Sequence, residues 1–438
     1  MMTRDTIDSK PKIYEDNNPS FLTMAKAVGS LCNLNCSYCY YLEKSSLFAD
    51  SHSYRMKDDI LAAYIKNAIE STSAKTIQFV WHGGEPTLLG IDYYEKIVRL
   101  QKELAGESKR CINIIQTNGI LLNKSWCDFF KRENFWVGLS IDGPTKLHNA
   151  NRLTKSGGPS HRQVLDAYHL LVQEGIDPDI LCTLNSANVK HPDEVYRFFR
   201  DLNVRWLQFL PIVRNTASGE LSEESVTGSD LGYFLTKVFD IWVRNDVGRL
   251  DVQTFVETLM AYTNGQSVLC INSPQCGNVL VVEHDGGIYS CDHFVYPDHY
   301  LGNVKDTRLL DALNSPFQVE FSENKSTKLT QKCLSCKYLF ACNGGCPKDR
   351  FGNQDSTGNY ENVLCSGYLT YYNHVDHYMK IMALLAKSDR PIGNVMAQVK
   401  HDDDLLKQSK SQKQSKKINK KKRGNLNYEN KTRKSTEI

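Results

Sequence analysis

No apolar run in this sequence approaches the roughly 20 residues that span a bilayer. The first eighteen residues, MMTRDTIDSKPKIYEDNN, hold no apolar core of an export signal. A membrane-spanning or exported protein is therefore not expected, and the compartment expected is the cytoplasm. Excess charge of one sign is missing as well, since 53 Lys and Arg face 50 Asp and Glu for a net charge of +3. That balance hides an asymmetry. From Lys407 to Ile438 twelve Lys and Arg stand against Glu429 and Glu437, so this stretch carries about +10 and the rest of the chain about −7. Nearly devoid of apolar residues, it cannot repay the entropy of ordering, and residues 387–438 are expected to be a basic, disordered tail. No aromatic platform interleaves its lysines, so a nucleic-acid partner is not expected, and a solvated tail is favoured over an anion-binding arm.

Cysteine is not scarce. At 438 residues the chain is long enough to build an apolar core without disulfide staples. In a reducing compartment clustered thiols bind metal more often than they pair, so the fourteen cysteines are read first as metal ligands.

Strand-length apolar runs alternate with helical patterns through the first half of the chain. The runs are Leu22 to Val28, Thr76 to Trp81, Asn113 to Thr117, Trp136 to Ile141, Ile180 to Leu184 and Trp206 to Pro211. Between the first two, Ile60, Leu61, Tyr64, Ile65, Ala68 and Ile69 fall on one helical face. Comparable patterns occupy Tyr93 to Leu104, Trp126 to Arg132, Val164 to Val172 and Glu194 to Leu202. Repeated β-α units predict an α/β fold with a parallel sheet, and six of them predict a partial (β/α)6, TIM-like barrel. In such a barrel chemistry gathers at the C-terminal ends of the strands, where HGGEP, QTNG and SIDG follow the second, third and fourth runs. From about Leu231 to Thr263 the pattern is helical. From Cys270 onward cysteine and glycine dominate, with a short strand pair, Val279 to Val282 and Ile288 to Ser290, as expected of a small domain held by metal.

Directly after the first run, Cys32, Cys36 and Cys39 place three thiols within eight residues. Structural zinc sites and most electron-transfer clusters use four protein ligands, whereas a [4Fe–4S] cluster held by three leaves one iron open to a small molecule. The spacing C-x3-C-x2-C, with Tyr38 before the last Cys, resembles the motif of radical S-adenosylmethionine (SAM) enzymes. The resemblance implies that Cys32, Cys36 and Cys39 hold a cluster whose open iron takes the amino and carboxylate groups of S-adenosyl-L-methionine, with Tyr38 near the adenine. Gly83, Gly84 and Glu85 resemble the loop in that family whose backbone and carboxylate receive the methionine ammonium. By the same resemblance Ser140 and Arg152 bind the carboxylate or ribose, and Asn118 and Val213 line the adenosyl site. A zinc loop completed by a His such as His52 is the competing reading.

Eight further cysteines follow the pattern C-x9-G-x4-C from Cys276 through Gly286 to Cys291, then C-x2-C-x5-C-x3-C, then a distant Cys. This layout is similar to the auxiliary-cluster domain called SPASM. The similarity implies one [4Fe–4S] cluster on Cys270, Cys276, Cys291 and Cys346 and another on Cys333, Cys336, Cys342 and Cys365, both fully ligated. Three [4Fe–4S] clusters are thus expected in all, although a pair of zinc ribbons satisfies the same thiol count. Cys111, Cys127 and Cys182 remain and are read as small buried hydrophobes. The domains expected are a polar segment over 1–19, a radical SAM barrel over 20–235, linker helices and a SPASM domain over 236–386, and the tail.

Over roughly residues 20 to 385, through HGGEPTL, QTNG, GLSIDGP, NANR, LQFLP, Cys291-Asp292 and CNGGCPKDR, the chain resembles anaerobic sulfatase-maturating enzymes. This resemblance implies oxidation of a sulfatase Ser or Cys to Cα-formylglycine by 5′-deoxyadenosyl radical chemistry, with Asp292 as the base. The substrate implied is an unfolded or nascent sulfatase polypeptide, and the reductant a low-potential donor such as flavodoxin or ferredoxin. Two other readings compete. One is another SPASM maturase forming thioethers or crosslinks in a peptide, and the other is a non-catalytic zinc protein with a basic nucleic-acid-contacting tail.

Overall fold

The computed structural model describes residues 21–48, 54–216 and 218–409. The segment 1–19, His52 and the tail from residue 410 lie outside the described residues. One ten-stranded sheet organises the chain. Its first six strands, β1 (Phe21–Lys26), β2 (Thr76–Trp81), β3 (Arg110–Thr117), β4 (Trp136–Ser140), β5 (Asp179–Leu184) and β6 (Trp206–Pro211), run parallel in sequence order, with the short β7 (Asp251–Val252) beside β6. These are the six runs legible in the sequence, alternating with helices Asp58–Glu70, Ile91–Ala105, Lys124–Arg132, His161–Gln173 and Pro192–Asp201. Each helix turns an apolar stripe inward. Tyr64, for example, meets Phe79 and Trp81 edge-on at 5.8 and 5.9 Å, and all three are fully buried.

The sheet stays open and continues past β1 on its other side. There β8 (Val281–Glu283) pairs parallel with β1, placing Glu283 opposite Lys26. The antiparallel strands β9 (Gly287–Tyr289) and β10 (Tyr300–Asn303) follow. The cysteine-rich part is thus built onto the edge of the first sheet rather than hung beside it. The division expected at residue 235 falls inside the helix Gly228–Asn245, which runs through it unbroken. That helix crosses Cys365–Lys387 at a contact lined by glycine, where a Cβ on Gly367 would lie 2.1 Å from the Gly228 carbonyl oxygen. Only bare backbone permits this approach.

The expectation of disorder from residue 387 is corrected by the structure. Residues 395–409 are helical, Val395 and Val399 are fully buried, and Arg244 Nε donates to Asp403 at 2.9 Å. Ile392, Val395, Met396 and Val399 stand at helical spacing. They supply a short apolar stripe that the composition of the whole tail averages away.

Candidate active site at the mouth of the sheet

The loop after β1 carries the first three thiols and is stitched to its neighbours by backbone hydrogen bonds. Gly84 N–H donates to the Gly29 carbonyl at 2.8 Å, Glu85 N–H to Leu31 at 2.9 Å, Asn35 N–H to Leu153 at 2.8 Å and Ser37 N–H to Asn151 at 3.1 Å. The glycines after β2 serve this contact, since a Cβ on Gly84 would sit 2.0 Å from the Leu31 carbonyl oxygen. Glu85 is held by its own protein. Its fully buried carboxylate accepts from Thr87 N–H at 3.0 Å and the Thr87 hydroxyl at 2.5 Å. It also accepts from the Thr117 hydroxyl and Asn118 N–H, both at 2.7 Å. Glu85 therefore locks the ends of β2 and β3 together, with its charge spent inside the protein. Asn118 reaches back to the thiol loop, its Nδ2 donating to Asn33 Oδ1 at 2.7 Å and standing 3.8 Å from Cys32 Sγ.

Behind the loop lies a buried polar group that the sequence reading passed over. Asp142, from SIDG, accepts a hydrogen bond from the Tyr38 hydroxyl, and Arg152 Nη1 donates to that hydroxyl at 3.0 Å while standing 3.7 Å from Asp142. Tyr38 and Arg152 are thus tied to each other as well as to the mouth. Arg152 Nε is buried without a protein partner, a donor held ready for an anionic or carbonyl group. Ser140 accepts from Gln116 Nε2 at 2.9 Å, and Val213 lies buried just beyond β6.

His148 supports this group from beneath. Its Nδ1 accepts from Asp142 N–H at 3.2 Å and its Nε2 bonds Ser160 Oγ at 3.0 Å. Burial, with Arg152 nearby, lowers its pKa from 6.5 to about 2. A depressed folded-state pKa means that the unfolded chain takes up the proton first. The stabilising effect is complete above pH 6.5 and falls by about 1.4 kcal/mol per pH unit below it. The melting-temperature gap between wild type and His148→Asn is expected to narrow between pH 7.5 and 5.5, as measured by anaerobic thermal shift. A constant gap would contradict this role.

Asp292 lies one residue past Cys291, in the turn after β9, which brings it beside the end of β1. Its Oδ2 accepts from the Tyr40 hydroxyl at 2.9 Å and stands 3.8 Å from Lys26 Nζ. Lys26 is fully buried and donates to His82 Nδ1 at 3.0 Å, an atom that also accepts from Gly83 N–H at 2.7 Å. Burial works to raise the Asp292 pKa, but His293, Lys26 and the Tyr40 hydroxyl outweigh it and hold the carboxyl well below the usual range. Burial, reinforced by Lys26, holds the His82 pKa down near 3, so His82 is neutral and its Nδ1 is free to accept. Tyr41 is 3% exposed and bonds Glu283, so it packs, while its neighbour Tyr40 takes the contact with Asp292.

All fourteen cysteines are free thiols. Cys127 and Cys182 are buried as expected of small hydrophobes, whereas Cys111 is only half-buried at the start of β3. Cys333, Cys336, Cys342 and Cys365 line one apolar cavity of about 240 Å³. Cys291 lies within electrostatic reach of Cys346 and Cys270, and Cys276 of Cys270. Burial pushes the Cys36 and Cys346 thiols up to about 12, so they become thiolates on binding metal rather than by titrating alone. Four thiols lining one apolar cavity are the donor set that a fully ligated iron–sulfur cluster takes.

Three thiols at the C-terminal mouth of a parallel sheet, backed by eight more in a second part, define a radical SAM enzyme with auxiliary clusters. The Radical SAM superfamily profile matches residues 27–199, and the SPASM iron–sulfur cluster-binding domain matches residues 270–337. A serine-type anaerobic sulfatase-maturating enzyme of Bacteroides thetaiotaomicron is 37% identical over 392 residues, covering 86% of this chain and 94% of that protein. A cysteine-type enzyme of Clostridium perfringens is 30% identical, covering 81% and 96%. The solved structure of native anSMEcpe with bound AdoMet and Cp18Cys peptide superposes with a TM-score of 0.75 at 29% identity, over 83% of this chain and 99% of that one. The chain belongs to the anaerobic sulfatase-maturating enzymes. Its cofactors are accordingly iron–sulfur clusters and S-adenosylmethionine. Among the described residues no helix is long and apolar enough to cross a membrane.

Proposed function

We propose that this enzyme oxidises a Ser or Cys, presented in an extended segment of an unfolded or nascent sulfatase, to Cα-formylglycine, with Asp292 as the base. The observation that carries this reading is the position of Asp292. It is an ionised carboxylate bonded to Tyr40 of the first thiol loop and adjacent in sequence to Cys291 of the second thiol set. Oxidising Ser to the aldehyde removes one hydrogen atom from Cβ, one proton from the hydroxyl and one electron. When bound, S-adenosylmethionine and the clusters supply the acceptors for the hydrogen atom and the electron.

The proton falls to the chain itself. Asp292 accepts it, since its side chain is 21% exposed while Lys26 behind it is fully buried. Lys26 and Tyr40 hold the carboxylate towards the substrate side. Cys32, Cys36 and Cys39 hold the N-terminal cluster. Tyr38, Gly83, Gly84, Asn118, Ser140, Arg152 and Val213 form the cofactor bed, which Glu85 braces from within. Cys270, Cys276, Cys291 and Cys346 would hold one auxiliary cluster, and Cys333, Cys336, Cys342 and Cys365 the other. A low-potential flavodoxin or ferredoxin would supply the reducing electron, and the substrate would be met in the cytoplasm as a chain not yet folded.

Anaerobic incubation with S-adenosylmethionine, reductant and a peptide carrying Ser/Cys-x-Pro-x-Arg tests the reading by mass analysis. Loss of two hydrogens from Ser, or conversion of the Cys thiol to aldehyde, is expected. An unchanged peptide alongside continuing cofactor cleavage would move the assignment to a crosslinking maturase. Tyr40→Phe removes one hydrogen bond to a charged group, a loss of about 1.5 to 3 kcal/mol. The product rate is therefore expected to drop roughly ten- to a hundredfold while iron content is retained.

A further inference from the structure

Buried positive charge without a carboxylate partner lies between the two C-terminal thiol sets. Lys325 is fully buried, and its Nζ donates to the carbonyl oxygens of Cys270 and Ile271, the latter at 3.0 Å. Arg350 donates from Nη1 to the Lys325 carbonyl at 2.7 Å, from Nη2 to Asn343 at 3.1 Å and from Nε to Gly344 at 3.3 Å. These acceptors are all neutral. Asp349 is engaged by Lys348, and among the described residues neither Lys325 nor Arg350 has a carboxylate within ion-pair range.

A buried charge persists only where an anion compensates it. Around Lys325 the groups able to carry negative charge within electrostatic reach are the sulfurs of Cys270, Cys276 and Cys346. Arg350 lies within electrostatic reach of Cys333 and Cys342 of one set and of Cys346 and Cys276 of the other. The chain between is shaped to it. Asn343, Gly344 and Gly345 take φ of 46°, 72° and 65°, turning the first two carbonyls onto the guanidinium. A Cβ on Gly344 would lie 2.7 Å from Arg350 Nη2.

We propose that Arg350, with Lys325, is the counter-charge of the two anionic auxiliary clusters and sets the potential at which they accept an electron. A tetrathiolate cluster is anionic, and reduction adds negative charge, so a fixed cation beside it favours the reduced form. Arg350 stays protonated throughout. The inference rests on reading the eight thiols as ligands of two clusters, and iron and sulfide analysis tests that reading apart from any potential.

The test is redox titration of the anaerobically reconstituted full chain. Electron paramagnetic resonance separates the N-terminal cluster by its response to S-adenosylmethionine. At the potential where the wild-type auxiliary clusters are half reduced, Arg350→Gln with full iron is expected to show at least a tenfold lower ratio of reduced to oxidised cluster. Tenfold corresponds to 59 mV for one electron. Arg350→Lys is expected to stay within threefold of wild type, with the N-terminal cluster unmoved in both variants. A ratio within threefold of wild type in fully loaded Arg350→Gln overturns the proposal, as does an equal shift in Arg350→Lys. If Arg350→Gln loses iron, Lys325→Gln is titrated instead, and an unmoved potential there overturns it. Iron loss in both glutamine variants also overturns it, because the cations would then be holding the fold rather than the potential.

Discussion

Replacing Asp292 with Asn is expected to stop formylglycine formation while cofactor cleavage continues. Asn keeps the shape and can still accept from Tyr40, so the turn after β9 and the neighbouring Cys291 are left in place, but it cannot take up a proton. General bases contribute roughly 10²- to 10⁴-fold, and a loss of that size in product, read by mass spectrometry, is the expected outcome. Release of 5′-deoxyadenosine and the iron count should stay near wild type. Because Lys26 keeps His82 as an acceptor at 3.0 Å, it retains one hydrogen-bond partner inside the protein. Product formation within tenfold of wild type would place the base elsewhere.

Gly84→Ala is expected to abolish the N-terminal cluster alone. An added Cβ would lie 2.0 Å from the Leu31 carbonyl oxygen and 2.8 Å from that of Ser30, both backbone atoms that cannot rotate aside. The loop bearing Cys32 must then part from the loop bearing Glu85, breaking the hydrogen bonds at 2.8 and 2.9 Å that join them. Of about twelve irons in three four-iron clusters, about four should be lost, together with all cofactor cleavage. The remaining eight sit on thiols that this contact does not touch. Gly90→Ala serves as the comparison. With φ at 78° and nothing within 4 Å of the new Cβ, it carries only the backbone cost of about 1 to 3 kcal/mol and should keep every iron. Full iron in Gly84→Ala would sink the argument.

The parallel strands were legible because each is a short apolar run bounded by polar loops, a purely local signal. The strand beside β1 was legible as a strand but its place was not, since nothing local in Val281–Glu283 says which distant strand it will join. Lys26 was hidden for a related reason. A lysine at a strand end is ordinarily solvated, and only the turn carrying Asp292, more than 250 residues away, makes it a buried partner. Which of two successive tyrosines would face Asp292 depended on the irregular turn after Cys39, where no period of two or 3.6 applies. Glu85 and Asp142 stood in visible motifs, but whether a carboxylate points at a ligand or at its own protein depends on donors from other strands. The cysteines were the easiest to read, because metal chemistry constrains their spacing directly.

The pairing of β8 with β1 leaves no hinge between the two parts of the enzyme. Neighbouring strands in a ladder are held about 4.8 Å apart by paired amides, so the span from the radical-generating loop to the first electron acceptor is set as rigidly as a rung. Cutting the chain before residue 270 would bare the edge of β1 and invite aggregation instead of yielding a working fragment. Oxidation and electron removal are thereby joined through one continuous sheet.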